Sequence, residues 1–184
     1  MKYIPFGKNL ILGLSIILIG TTSCLSDTGN EMENNLISYV TCKKNTSPEE
    51  FVKTIEAIGG KSLISGNMSQ VTDSIFTLPA TISIWGYPVS SFSLHQGSND
   101  DGDFNEFAAV IPAPDNLTTS DGVAAMGHVN RIAENYFMNQ VGGNDLIVRQ
   151  YEDSIYISCA NDVRTLKKSI NRELKQLNER LGGS

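Results

Sequence analysis

The sequence predicts a single α+β domain, an antiparallel β-sheet meander with about three α-helices. Three observations carry this: apolar periodicity changes from helical to two across residues 61–112, helix-start and helix-stop signals flank that region, and an amphipathic stretch ends the chain. With 184 residues, 40% hydrophobic and 18% charged, the chain is able to bury a core and lacks the composition of a disordered one. Its 14 Lys and Arg against 20 Asp and Glu leave a net charge of −6, which sets it apart from basic nucleic-acid readers, and no nucleic-acid partner is expected.

The first element is expected as a strand over Leu36–Cys42. Thr46-Ser47-Pro48-Glu49-Glu50 then opens a helix: Ser47 caps it, Pro48 suits its first position and Glu50 completes a capping box. Phe51, Ile55 and Ile58 recur at helical spacing, and Gly59-Gly60 ends the element. From Lys61 to Pro112 the apolar residues alternate, as in Ile82/Ile84, Phe92/Leu94 and Phe107/Ala109/Ile111, with turns at Pro79, Gly86-Tyr87-Pro88 and residues 98–103. A second helix is expected from Ser120 or Asp121, with Ala125, Val129, Ile132 and Tyr136 on one stripe and Gly142-Gly143 as its end. Leu146–Tyr151 and Ser154–Cys159 form a hairpin around Glu152-Asp153. The last element, 163–181, places Val163, Leu166, Ile170, Leu174, Leu177 and Leu181 on one helical stripe, with a polar face that is either simply solvated or held near anionic headgroups.

The N-terminus carries a cellular address. Lys2 and Lys8 precede an apolar run of 11 residues, Leu10–Gly20, which is shorter than the roughly 20 residues a membrane-spanning helix needs. Thr21, Thr22 and Ser23 follow, and then Cys24. This ending resembles the lipobox of bacterial lipoprotein precursors, departing from it at Thr21, where that family usually places an aliphatic residue. The resemblance covers about the first 24 residues and implies that Cys24 becomes the lipidated N-terminus, bearing acyl chains of the palmitate kind. Leu25, in place of an Asp, implies the outer membrane, with the domain facing the periplasm. An ordinary secretory signal cut near Ser23 or Ser26 is the alternative. On this reading residues 1–23 are a signal peptide, 24–35 an acidic flexible tether, and 36–184 the α+β domain. Without residues 1–23 the chain has 12 basic and 20 acidic residues, a net of −8.

An odd cysteine count in an exported protein asks for an explanation. If Cys24 is lipidated, Cys42 and Cys159 remain to form a disulfide across 117 residues of chain, or else stand as two separate buried thiols.

The mature chain has no contiguous catalytic set and no Gly-x-Ser-x-Gly turn, so neither a catalytic residue nor a cofactor is assigned. His95 and His128 are the only histidines, and neither has a metal-ligand neighbour in sequence. Asn99-Asp100-Asp101-Gly102-Asp103 has the composition of a calcium loop without its spacing, so no metal is assigned and the segment reads as an acidic hairpin turn.

What remains is charge segregation: residues 163–181 carry a net of +4, leaving −12 on the rest of the mature chain. The function expected is therefore a lipid-anchored cell-envelope binding protein, of the periplasmic inhibitor or immunity type, that occludes a basic toxin or hydrolase. Asp100, Asp101 and Asp103 would steer the partner, and Trp85 or Tyr87 would supply an anchor, unless those aromatics are core. An accessory lipoprotein of an envelope assembly and a small envelope enzyme with a non-contiguous site are the alternatives.

Overall fold

The computed structural model describes residues 25–68, 71–99, 102–114 and 118–162. Cys24, Asp100, Asp101 and the expected helix 163–181 lie outside them. The chain opens with α1 (Leu25–Val40), which leads through a turn at 41–44 into α2 (Pro48–Ala57). Strands β1 (Lys61–Met68) and β2 (Val71–Thr77) follow, then a small separate hairpin of β3 (Ser83–Ile84) and β4 (Tyr87–Pro88), then β5 (Ser91–Asn99) and β6 (Gly102–Pro112). A short α3 (Ser120–Met126) crosses to β7 (Arg131–Ala133), β8 (Tyr136–Val141), β9 (Asn144–Tyr151) and β10 (Ser154–Asp162).

The α+β class holds, and all described pairings are antiparallel. The main sheet has eight strands in the order β1-β2-β5-β6-β10-β9-β8-β7. It consists of two meanders, one running inward from β1 to β6 and the other from the far edge inward from β7 to β10. They meet where β10 pairs with β6 over nine residue pairs, from Ser154 opposite Pro112 to Asp162 opposite Phe104.

The strand expected over Leu36–Cys42 and the tether expected over residues 24–35 are corrected: residues 25–40 are helical. Leu36-Ile37-Ser38-Tyr39-Val40 satisfies two periods, since Leu36, Tyr39 and Val40 form a stripe at i, i+3 and i+4 as readily as they read as a short apolar strand. All three are fully buried in the core. The α2 signals act as expected, with Ser47 Oγ accepting from the Glu50 backbone N–H at 3.2 Å. The capping box is only half made. The Glu50 carboxylate turns to accept from the Tyr39 hydroxyl at 2.8 Å, which ties α2 to α1.

The second expected helix is also corrected. It stops at Met126 after seven residues, and the stripe Val129, Ile132, Tyr136 is spread over a loop and two strands. The stop is a left-handed turn at His128, which lets the Val129 and His128 backbone N–H groups donate back to the Ala124 and Ala125 carbonyls at 2.8 and 3.2 Å, while a Cβ on Gly127 would fall 2.3–2.7 Å from the Trp85 ring. His128, expected in that helix, sits in the turn beyond it at φ 54°. Asn139 braces that turn by donating to the His128 carbonyl at 2.8 Å and accepting from the Asn130 backbone at 3.2 Å. Gly142-Gly143 is the β8–β9 turn, and both glycines have positive φ, which a two-residue hairpin of this twist requires.

One face of the sheet carries the core. Phe92 and Leu94 of β5, Phe107, Ala109 and Ile111 of β6, Ile155, Ile157 and Cys159 of β10, and Leu146 and Val148 of β9 pack against α1, α2 and α3 in one cluster. Phe51 links the layers, with ring centroids 6.5 Å from Tyr39, 6.4 Å from Phe92 and 5.0 Å from Phe107. Cys42, in the turn after α1 rather than at a strand end, is disulfide-bonded to Cys159 in β10.

The chain-entropy argument assigns a loop this long about 5 kcal/mol, of which measured values usually return less. Replacing both cysteines by Ser is expected to lower unfolding free energy by about 3–4 kcal/mol, read as a lower urea midpoint with a steeper slope, because the uncrosslinked chain exposes more surface when unfolded. Gly127→Ala, at an ordinary φ of −83°, is expected to cost about 1–3 kcal/mol through overpacking against the Trp85 ring, with a change in Trp85 emission.

Candidate binding surfaces

Trp85 and Gly86 form the two-residue turn of the β3–β4 hairpin, with φ of 53° and 87°. The hairpin folds over α3. Trp85 lies against Gly127, and the Tyr87 hydroxyl sits 3.0 Å from where a Gly122 Cβ would stand. Both rings are half-buried and pack on the core cluster.

Asp103 belongs to the opposite end of the sheet. It pairs with Ser98 next to the β5–β6 turn and is exposed, whereas the β3–β4 hairpin reaches the other end, where Ser90 bonds Val110. From Ser91 to Ser98 is seven steps of strand, about 23 Å. The structure therefore separates the aromatic pair from the acidic turn.

Strand register defines a second, more polar surface on the face away from the core. Its central row runs Asp73 of β2, His95 of β5, Glu106 of β6, Ala160 of β10 and Asp145 of β9, side by side across the sheet. His95 Nδ1 is bonded to Asp73 Oδ1, and its ring lies 4.8 Å from that of Phe104. Arg149 reaches back from β9 to place Nη2 at 3.0 Å from Glu106 Oε1, an ion pair by distance, and its guanidinium sits 5.5 Å over the Tyr156 ring. Beside it Glu134, Tyr136, Arg149, Tyr151 and Tyr156 line an open cleft of about 520 Å³. Burial holds the Tyr136 phenol above its ordinary range; Asp145 and Glu106 push it the same way, and Arg149 opposes.

A smaller polar cavity of about 300 Å³ sits on the core side beside the disulfide, lined by Tyr39, Lys44, Asn45, Asn105, Asn144 and Asn161 among others. Asn144 Nδ2 donates to Asn45 Oδ1 at 2.9 Å across it.

The His95–Asp73 pair has the orientation of a general base braced by a carboxylate. Among the described residues, however, no serine or cysteine is bonded to the other ring nitrogen, and no three His, Cys, Asp or Glu side chains converge to hold a metal ion. No described helix is long and apolar enough to cross a membrane. The second face was not visible in sequence because each of its members comes from a different strand; the one available signal was the polar phase of the alternation in β2, β5 and β6. Comparison with known proteins finds no matching family model, no matching curated protein and no matching solved structure.

Because the folded state favours the neutral Tyr136 phenol, the stability linked to it is intact at neutral pH and falls as pH rises through the phenol's titration range. In an ultraviolet titration of the folded protein, Tyr136→Phe is expected to remove a late-ionising phenol and leave the early ones in place.

Proposed function

We propose that the chain is an exported, lipid-anchored cell-envelope protein whose acidic α+β domain binds a basic protein, in the manner of a periplasmic inhibitor or immunity protein. The carrying observation is the Cys42–Cys159 disulfide. Structural disulfides belong to oxidising compartments, and this one uses both cysteines of the fold, leaving Cys24 alone at the end of an export-type leader. With Cys24 acylated at the outer membrane, α1 starts at the next residue, so the anchor joins a helix that packs on the core and the domain is held close to the lipid surface.

The partner is a basic protein because the mature chain is acidic, with a net of −8, and the β5–β6 end of the sheet exposes Asp103. Charge brings the partner in: fields from Asp100, Asp101 and Asp103 act over about a Debye length of 8–10 Å, so the turn contributes to encounter without lying in the contact itself. Packing of Trp85 and Tyr87 against α3 leaves each ring only a partial surface to offer as an anchor.

Two measurements test the reading. Mass analysis of the mature N-terminus is expected to find acylated Cys24, and Cys24→Ser to move the protein from the membrane to the soluble fraction; an unlipidated N-terminus cut elsewhere would overturn the anchor. Detergent-solubilised protein is expected to capture one stoichiometric basic partner at low salt and release it at high salt. Reversing charge at Asp100, Asp101 and Asp103 should slow that association about tenfold and flatten its salt dependence, whereas unchanged kinetics would overturn a steering role for the turn.

A further inference from the structure

We propose that the second face of the sheet is the seat of the chain's own C-terminal segment, residues 163–181, laid back along β10 and β6. Two layers of burial point there. Every buried apolar side chain of α1, α2 and α3 belongs to the core cluster on the first face. Yet Phe104, Ala108 and Ile147 are only 7%, 2% and 8% exposed and stand outside that cluster. Register places all three on the opposite face: Ala108 is beside Ser158, Ser158 beside Ile147, and Phe104 beside Asp162. Ser158 is 0% exposed, and its Oγ has no hydrogen-bond partner among the described residues. A buried hydroxyl and three buried apolar side chains on a face that the described helices leave bare require a covering element.

Connectivity and dimensions favour residues 163–181. They follow directly from Asp162, which ends β10 at the middle of the sheet. Nineteen residues in helical form would measure about 28 Å, and the nine residues of β10 about 30 Å, so the segment has the length to return along the strand it leaves. Ser93, Ala108, Ser158 and Ala160 make a shallow small-residue floor between larger neighbours, which lets a helix approach closely. The apolar stripe of the segment, Val163, Leu166, Ile170, Leu174, Leu177 and Leu181, supplies the cover. Its six cations and two carboxylates meet a face on which Asp73, Glu106 and Asp145 outnumber Arg149. A segment seated there is unable to insert the same stripe into lipid.

Hydroxyl-radical footprinting of the full mature protein tests this. Ile170→Asp with Leu174→Asp, which breaks the stripe, is expected to raise modification of Phe104 and Ile147 at least threefold while Tyr39 and Phe51 stay protected. Thr165→Asp with Gln176→Asp, the same charge change on the opposite helical face, is expected to leave them unchanged. No increase in the stripe variant, or equal increases in both, overturns the proposal. Should the stripe variant also expose Phe51, and so unfold, a benzophenone amino acid at Tyr156 in the otherwise unaltered chain decides: cross-links to residues 163–181 of the same molecule support the seat. Cross-links elsewhere, cross-links between molecules, or none, overturn it. Protection of Phe104 only on adding phosphatidylglycerol vesicles would likewise overturn it and assign the segment to lipid.

Discussion

The pairing of β6 with β10 is the constraint on which the rest of the structure depends. Each half of the sheet is a meander of neighbouring strands, built from local turns, and the halves share only this seam. Its residues are more than 40 positions apart in sequence, so joining them carries the loop-closure cost that local hairpins avoid. The seam is correspondingly reinforced. Ala109, Ile111, Ile155 and Ile157 are fully buried along it, α1 packs across both strands, and the disulfide fixes the turn after α1 to Cys159.

The seam also explains why the two faces differ. On the core side it presents alternating large aliphatics to three helices; on the other it presents Ala108, Ser158 and Ala160, small residues between Phe104 and Tyr156. The sheet thus has an aliphatic face and a face with a small-residue trough bordered by paired charges. The hydrogen bond between Asp73 and His95 and the ion pair of Glu106 with Arg149 partner the polar groups beside the trough, which lowers the cost of shielding them from water.

How much of this was legible follows from the range of each signal. The start of α2 rests on Ser47, Pro48 and Glu50, contiguous residues with a local mechanism, and it reads directly. So do β5, β6 and the β9–β10 hairpin, where alternation in single strands reports a single buried side. The disulfide was legible from counting, because setting Cys24 aside leaves one pair. Leu36–Val40 was not, since five residues fit both periods and only packing against Phe51 and Phe107 decides between them. Residues 120–136 misled for a different reason: their helical stripe is an accident of spacing, and α3 ends where the backbone turns left-handed at His128, a residue type that does not announce such a turn. For Trp85 and Tyr87 the sequence offers both binding and core, and the hairpin's fold over α3 shows only that the two rings are half-buried. The row from Asp73 to Asp145 draws on separate strands and exists only once register is set.

The position of the disulfide has a mechanical consequence. A load applied between α1 and the end of β10 travels down the helix to Cys42, crosses the S–S bond to Cys159 and leaves through the last three residues of the strand. Residues 43–158, which include almost the whole sheet, lie inside the covalent loop and off that path. Tension between those two points would strain one helix and the last three residues of β10, which carry three of the nine pairs of the seam, and leave the other six pairs off the path.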